Sequence, residues 1–463
     1  MSLRPLNGGR LGATALWACL LSACALAPPA RAVAESAATY TLTNLVERAL
    51  EHSAEVQESR WQLEGARSQV TRARAAAILP RLRLETYGGL TPDAKGSYLA
   101  VSSDTSGLRP LGPFARAELE FAQPLYTFGM LTSLRRAAES GEQVERARLA
   151  DRRLEVALEV KEYYYGVLVA EDLLTLVRRF ADELQEWEAD VDPYDPDVPV
   201  SAPYKLGLAQ LELERREREL ESRLQLARAA LAWKTGLPED APLELADDGL
   251  RVEPAAVPPL DSLEAMALRR RPDWAQLRSG IAARQAQTDA ARSAYYPQIF
   301  VAGGLRYAVA PNRTDQHNPF VKDEYNYFNG GVFLGLRQSF EWGLLGADLQ
   351  QARARLYELK ARERTAAQGI RLDVGRAHGE FRQAQHRLKA ARQGRSLGRE
   401  WLQIAQEEYE LDPGQLKELV GAFERLAVLE QEYREAVYHH NTRLARLERT
   451  VGLELGLRPG GDQ

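Results

Sequence analysis

Cysteine is almost absent from this sequence. The only two, Cys19 and Cys24, both fall within the first 32 residues, so the body of the chain has neither a disulfide framework nor a thiolate metal site. Beyond that leader there is no apolar run of the roughly 20 residues that a transmembrane helix needs. A basic surplus is missing too, since the 463 residues carry a formal net charge of −5, which argues against nucleic acid as a partner. No phosphate-cradling glycine loop, nucleophile elbow or zinc-ligand spacing occurs. The histidines His52, His317, His378, His386, His439 and His440 are scattered, and the adjacent pair diverges around a helix instead of converging on one ion. Charged residues abound, but at helical spacings where i,i+4 pairing is their ordinary use. The sequence therefore offers no catalytic residue, no cofactor-binding residue and no metal ligand, and it reads as a non-enzyme. If the body enters a membrane, it does so as a β-barrel, because only helices and closed barrels satisfy every backbone polar group in lipid.

What is present begins with an address. Arg4 and Arg10 precede an apolar run from Leu11 to Leu21 and then small residues, the layout of a secretory signal, which predicts an exported chain from which residues 1–32 are removed. Two cleavage patterns overlap here. Leu21-Ser22-Ala23-Cys24 has the form of a lipobox, with Cys24 as the lipidated first residue, whereas Ala30-Arg31-Ala32 has the small-x-small form of ordinary cleavage.

The remainder contains itself twice. Ala49-Leu50-Glu51-His52-Ser53-Ala54-Glu55 lies on Ala267-Leu268-Arg269-Arg270-Arg271-Pro272-Asp273, and the Ala/Arg/Gln-rich stretches that follow end at Pro80 and Pro297. Gln123-Pro124-Leu125 matches Gln338-Ser339-Phe340, and the closing Gly236-Leu237 matches Gly452-Leu453, at a spacing of about 217 residues throughout. Each copy has one plan. Residues 42–79 and 262–296 predict a helix, ended by a proline that lacks the N–H a helix interior requires. The period then changes to two. Leu82, Leu84 and Thr86 alternate with Arg81, Arg83 and Glu85, and Ala115, Ala117, Leu119 and Phe121 with Arg116, Glu118 and Glu120. The second copy repeats this with Ile299, Val301, Leu305, Tyr307 and Val309, then Val332, Leu334, Leu336 and Phe340 opposite Arg337, Ser339 and Glu341. Apolar groups on one face and charge on the other predict barrel strands near 81–90, 114–125, 298–309 and 331–342. Tyr126, Phe128, Tyr295, Tyr296 and Trp342 stand at strand ends, where an interfacial girdle lies. Long uninterrupted helices follow over 131–189 and 344–410, with antiparallel return legs over 202–234 and 415–451 and heptad-like seams between them.

In the order and spacing of these features, residues 41–454 resemble the TolC-like outer membrane efflux protein (outer membrane factor) family. The resemblance rests on the duplicated helix, the junctions at Pro80 and Pro297, the Gln123-Pro124-Leu125 strand exit followed by Gly129, and the turn at Tyr409. It implies a mainly α fold with a membrane β-barrel: a homotrimer in outer-membrane lipid, four strands per chain closing a 12-stranded barrel that long coiled-coil helices continue into the periplasm as an α-barrel. Residues 41–238 form the first structural repeat, 239–260 an inter-repeat linker in an equatorial region, 261–454 the second repeat and 455–463 a tail. The implied function is an exit duct for solutes or proteins delivered by a periplasmic adaptor (membrane fusion) protein and an inner-membrane pump. No cofactor is implied.

The resemblance puts the entrance at the helix tips, at turns near 190–203 and 409–415. Glu418 takes the place of an acidic residue ringing the constricted pore, and Tyr409 and Lys205 take tip-contact positions. Two departures stand out: a second acidic ring position falls on Gly421, and Lys205 stands where an aspartate is frequent. The residues alone also admit a soluble periplasmic coiled-coil scaffold or adaptor whose strands form a small sheet, with Glu418 as a solvated helix residue.

Overall fold

A computed structural model describes residues 39–94, 110–190, 201–238, 243–315, 318, 320 and 322–454. The leader with Cys24, the tail 455–463, residues 239–242 of the linker, most of the elongated turn near 190–203 and most of the loop after the first strand lie outside the described residues.

In chain order the elements are β1 (Thr39–Tyr40), α1 (Leu42–His52), α2 (Ala54–Ile78), β2 (Arg81–Pro92), β3 (Leu111–Tyr126), α3 (Met130–Asp190) and α4 (Ala202–Thr235). There follow β4 (Glu244–Leu245), α5 (Leu260–Arg270), α6 (Pro272–Ser293), β5 (Gln298–Val309), β6 (Tyr327–Arg337), α7 (Trp342–Leu411), a 3-10 turn (Pro413–Gln415) and α8 (Leu416–Val451). At ~1.5 Å per residue the 61 residues of α3 and 70 of α7 reach roughly 90 and 105 Å. No helix among the described residues is long and apolar enough to cross a membrane.

The helix expected over 42–79 is two helices, and so is the one expected over 262–296. Both break at corresponding residues with nearly the same backbone geometry, Ser53 at φ −58°, ψ 126° and Arg271 at φ −61°, ψ 124°. Pro272 explains the second break, since proline pushes its predecessor out of helical geometry. The first has no such local cause; both breaks instead lie under the C-terminus of a return helix. α4 ends in a left-handed Gly236 (φ 67°), with the Gly236 N–H donating to the Trp233 carbonyl at 3.3 Å and the Leu237 N–H to that of Ala232 at 2.9 Å. α8 ends identically in Gly452 (φ 88°), with bonds of 3.0 Å to Arg449 and 2.9 Å to Glu448. A Cβ on Gly236 would stand 3.0 Å from the Cβ of His52, and one on Gly452 only 2.9 Å from the Arg270 carbonyl, so each cap needs glycine to seat against its break.

The four long strands form one antiparallel sheet in the order β2-β3-β5-β6, in which β3 and β5 join the two halves. Cross-strand partners such as Leu84, Leu119 and Leu305 put all the apolar members of the alternation on one face. The fourth strand differs from expectation: it runs from Tyr327 to Arg337, so Ser339, Phe340 and Glu341 lie outside it. Arg337 pairs with Gln298, the first residue of β5. Before Gln298 stands Pro297, with no N–H to donate, and the chain there is already leaving α6, so alternation continues where a pairing partner does not.

α3 is the spine of the subunit, packing along α2, α4, α6 and α8, while α7 packs along α8 and α6. The main core gathers Leu45, Val56, Val160, Phe180 and Leu231 with Leu419, Ala422 and Phe423 from α8, so both halves share it. A second core sets Leu263 and Ala267 of α5 against Ile370, Val374, Phe381 and Leu447.

Candidate functional site

The turn between α7 and α8 is built by Asp412. Its carboxylate accepts the Gly414 N–H at 2.9 Å, and its carbonyl accepts the Gln415 N–H at 3.0 Å, a compact Asx-type reversal. Glu418 falls in the first turn of α8, where negative charge meets the positive end of the helix dipole. It is exposed, and its carboxylate accepts the indole N–H of Trp401 on α7 at 3.2 Å, which holds the acid against the hairpin's own side. Tyr409 is half-buried against the main core and Lys205 is exposed in the first turn of α4. Among the described residues no hydrogen bond or ion pair joins Glu418, Tyr409 and Lys205 to one another. Gly421 borders open space, as a Cβ there would meet nothing within 4 Å.

Sequence reasoning missed what ties the two hairpins together near this end. Phe423 of α8 receives Phe180 edge-on at a centroid distance of 4.9 Å and Trp187 at 4.7 Å, both from α3. The seven-residue spacing of Phe180 and Trp187 was the available signal, one heptad on one face. A groove of about 510 Å³ opens beside them, lined by Lys205, Leu208 and Glu212 of α4 and by Phe423, Glu424 and Val428 of α8. Further along, Glu430, 1% exposed, accepts Nε of Arg399 at 2.8 Å and Nη1 of Arg434 at 2.5 Å. Burial by itself raises the pKa of this carboxyl, but the hydrogen bonds and charges of Arg434 and Arg399 outweigh it and hold the value below the ordinary one.

Midway along the helices, the linker is fastened to both halves. β4 pairs with β1, the Tyr164 hydroxyl of α3 donates to Asp247 at 2.6 Å, and the Leu250 N–H donates to Asp172 of α3 at 3.0 Å. On the other side the Glu253 N–H donates to Oδ1 of Asn441 on α8 at 3.0 Å, and that amide's N–H₂ donates to the Arg251 carbonyl at 2.7 Å. Lys161 of α3 and Glu448 of α8 pair at 2.7 Å with both side chains buried, again joining the halves.

At the helix–strand junctions after Pro80 and Pro297, one device occurs twice. Nε2 of Gln123 donates to the Ala77 carbonyl at 3.3 Å and to the Pro124 carbonyl at 3.1 Å; Nε2 of Gln338 donates to those of Tyr295 at 3.1 Å and Ser339 at 3.2 Å. Each glutamine thus satisfies a carbonyl at or just beyond a helix C-terminus that has no partner in the helix. The register of β3 with β5 shifts one residue on from Gln123, between Pro124 and Tyr126. Beside it Tyr126, Phe128 and Tyr296 form one aromatic cluster, with centroid distances of 4.7 and 5.3 Å.

The two faces of the sheet are chemically opposite. One carries Leu82, Leu84, Leu119, Leu305, Val332, Leu334 and Leu336, all open to the surroundings of the single chain apart from a half-buried Leu119. The other carries Arg81, Arg83, Glu85, Arg116, Glu118, Glu120, Arg306 and Arg337, kept shallow by Gly89, Gly304 and Gly331. Arg83 pairs with Glu85, Arg116 with Glu118, and Arg306 with Glu120 at 3.6 Å. β2 and β6 are the sheet's unpaired edges. Among the described residues no group of three or more His, Cys, Asp or Glu is placed to hold a metal ion.

Comparison with known proteins gives a consistent picture. The family model described as outer membrane efflux protein matches residues 45–187 and 263–452, both halves of the chain. No curated protein sequence matches. Among solved structures, a membrane protein from Pseudomonas aeruginosa superposes with a TM-score of 0.72 at 20% identity, covering 89% of this chain and 93% of that one. The open state of the Neisseria gonorrhoeae MtrE outer membrane channel gives 0.72 at 20% identity over 89% of each chain. The outer membrane protein VceC of Vibrio cholerae gives 0.70 at 17% identity, covering 89% of this chain and 96% of that one.

Proposed function

This chain belongs to the outer membrane efflux protein family, and from that premise we propose that three copies close its four-stranded sheet into a barrel and work as an exit duct for cargo from an inner-membrane pump and periplasmic adaptor. As a family member it is an outer-membrane protein with its helices in the periplasm. The observation that carries the reading is the two-faced sheet with open edges. An apolar face as exposed as Leu84 (66%) and Leu334 (70%) wants lipid, and in lipid the unpaired backbone of β2 and β6 wants another strand. Neighbouring copies supply that strand and leave the charged face to line water. The long helices then find along each other's sides the partners that one chain does not provide.

Within this duct Glu418 is the proposed constriction residue, one copy from each chain ringing the entrance and favouring cations. Tyr409 and Lys205 are proposed as tip contacts, Lys205 at the edge of the groove between α4 and α8. Gly421 leaves the ring with one acidic layer.

The test is electrical. Purified chain in planar bilayers is expected to conduct as a trimer, and Glu418→Ala to lower its cation preference; an unchanged reversal potential removes Glu418 from the pore. A soluble scaffold, the rival reading, is recovered from the periplasm without detergent as monomer or dimer. The duct is recovered with the outer membrane and needs detergent. Fractionation of native membranes decides between them.

A further inference from the structure

The charged face of the sheet holds more arginine than its acids neutralise. Glu85, Glu118 and Glu120 are each engaged by an arginine, Arg83, Arg116 and Arg306 respectively. Arg81 and Arg337 remain, and among the described residues neither makes an ion pair. Both lie on this one face: Arg81 pairs in register with Ala122, and Arg337 with Gln298. They also lie at the same, periplasmic end of the sheet, since Arg81 opens β2 directly after the helix junction and Arg337 closes β6 just before α7. In a chain whose net charge is −5, this rim has the opposite sign.

Arg337 is held in place. Its guanidinium stands over the Phe300 ring at 4.9 Å from the centroid, and Phe300 is seated by the absence of a side chain at Gly335, where a Cβ would come within 2.5 Å of the ring. That contact holds the charge over the ring face and leaves guanidinium N–H groups available to donate. Arg81 borders a concavity of about 730 Å³ on this face, lined also by Arg83, Glu120, Arg306, Asn329 and Gly331, so the space in front of it is open.

We propose that Arg81 and Arg337 form a ring at the inner rim of the barrel that binds multivalent oxyanions, phosphate- or carboxylate-bearing solutes, on their way out. The inference rests on the duct reading. Closure there sets β6 of one copy beside β2 of the next, which brings Arg337 at the end of one strand to the same rim and face as Arg81 at the start of the other. Neighbouring copies then share each arginine pair, and the pairs repeat around the lumen. Guanidinium groups so grouped, with a low-dielectric wall behind them, concentrate anions and engage oxyanions through paired N–H donors. The inner rim of the barrel thus has the opposite preference to the acidic entrance at Glu418.

The experiment is single-channel recording of the full chain in planar bilayers, with sodium pyrophosphate added on the extracellular side, from which the ring is reached without passing the helix tips. Pyrophosphate is expected to block the wild-type current, and the block to weaken by about 3-fold or more in Arg81→Gln/Arg337→Gln. Arg81→Lys/Arg337→Lys keeps the charge and is expected to retain most of the block. The open conductance of each variant shows that it has folded and inserted. Equal block in the wild type and the glutamine double variant, or none in a conducting wild type, overturns the ring and leaves the duct standing. A chain that inserts without conducting overturns the duct, and the ring with it.

Discussion

Two carboxylates show how burial and partners set opposite outcomes. Glu430 is enclosed, but the guanidinium groups of Arg434 and Arg399 keep its pKa below the ordinary 4.5, so its anion stabilises the fold. That contribution is complete above the ordinary glutamate value and is lost as pH falls through the lower, folded one. Glu430→Gln is therefore expected to cost ~1–3 kcal/mol at neutral pH and to flatten the acid limb of the stability curve, read by thermal unfolding in detergent from pH 7 down to about 3. Asp172 runs the other way. Burial raises its pKa above the ordinary 3.8 in spite of the bond from the Leu250 N–H, so its charge is a cost that acid relieves. Asp172→Asn keeps an oxygen to accept that N–H and discards the charge, and is expected to leave the neutral-pH midpoint unchanged or raise it.

At the scale of the element, the informative features are helix ends. The left-handed caps Gly236 and Gly452 do the same work in the two halves, yet their surroundings differ in a way that orders their sensitivity. Alanine in the left-handed region costs ~1–2 kcal/mol at either position. At Gly236 the new Cβ has one close neighbour, the Cβ of His52 at 3.0 Å; at Gly452 it meets three backbone atoms of Arg270 and Arg271 at 2.9–3.0 Å, so more must move. Gly452→Ala is expected to lower the unfolding temperature more than Gly236→Ala. Equal effects would mean that the docking of cap on break contributes nothing beyond dihedral strain. The recurrence of these caps, of the breaks at Ser53 and Arg271 and of the Gln123 and Gln338 clips supports the proposed duplication: the second half reuses the first half's joints, not only its helices.

For the whole molecule, the proposed duct gives the two faces of the sheet different solvents. Leu84 lies mid-strand on the apolar face beside Leu119, and Leu119 beside Leu305, so on that proposal Leu84→Arg puts a charge into hydrocarbon at a cost of ~2–4 kcal/mol in each copy. Loss of trimer from outer-membrane fractions is the expected outcome. Glu118→Gln, on the charged face, is expected to assemble normally and to change only conductance. If both variants assemble equally, the apolar face does not meet lipid, and the barrel reading fails with it.

Much of this was legible in the sequence because it depends on period. The change from 3.6 to 2 at Pro80 and Pro297 placed the strands to within a few residues, and long proline-free runs rich in Ala, Leu, Glu and Arg placed the two longest helices. A period says what each residue faces but not where a partner ends. The fourth strand therefore stops at Arg337, where β5 has no residue left to pair, and not where the alternation stops. The break at Ser53, the Phe180–Phe423 contact and the Trp401 bond to Glu418 were invisible for the same reason: each joins residues from separate elements that only packing brings together. The sequence by itself determined the repeated unit, its amphipathic faces and its family resemblance, since those follow from local propensity and order along the chain. The tertiary structure alone decided which arginines are neutralised and which are left over, because a charge balance is settled across strands by register and distance.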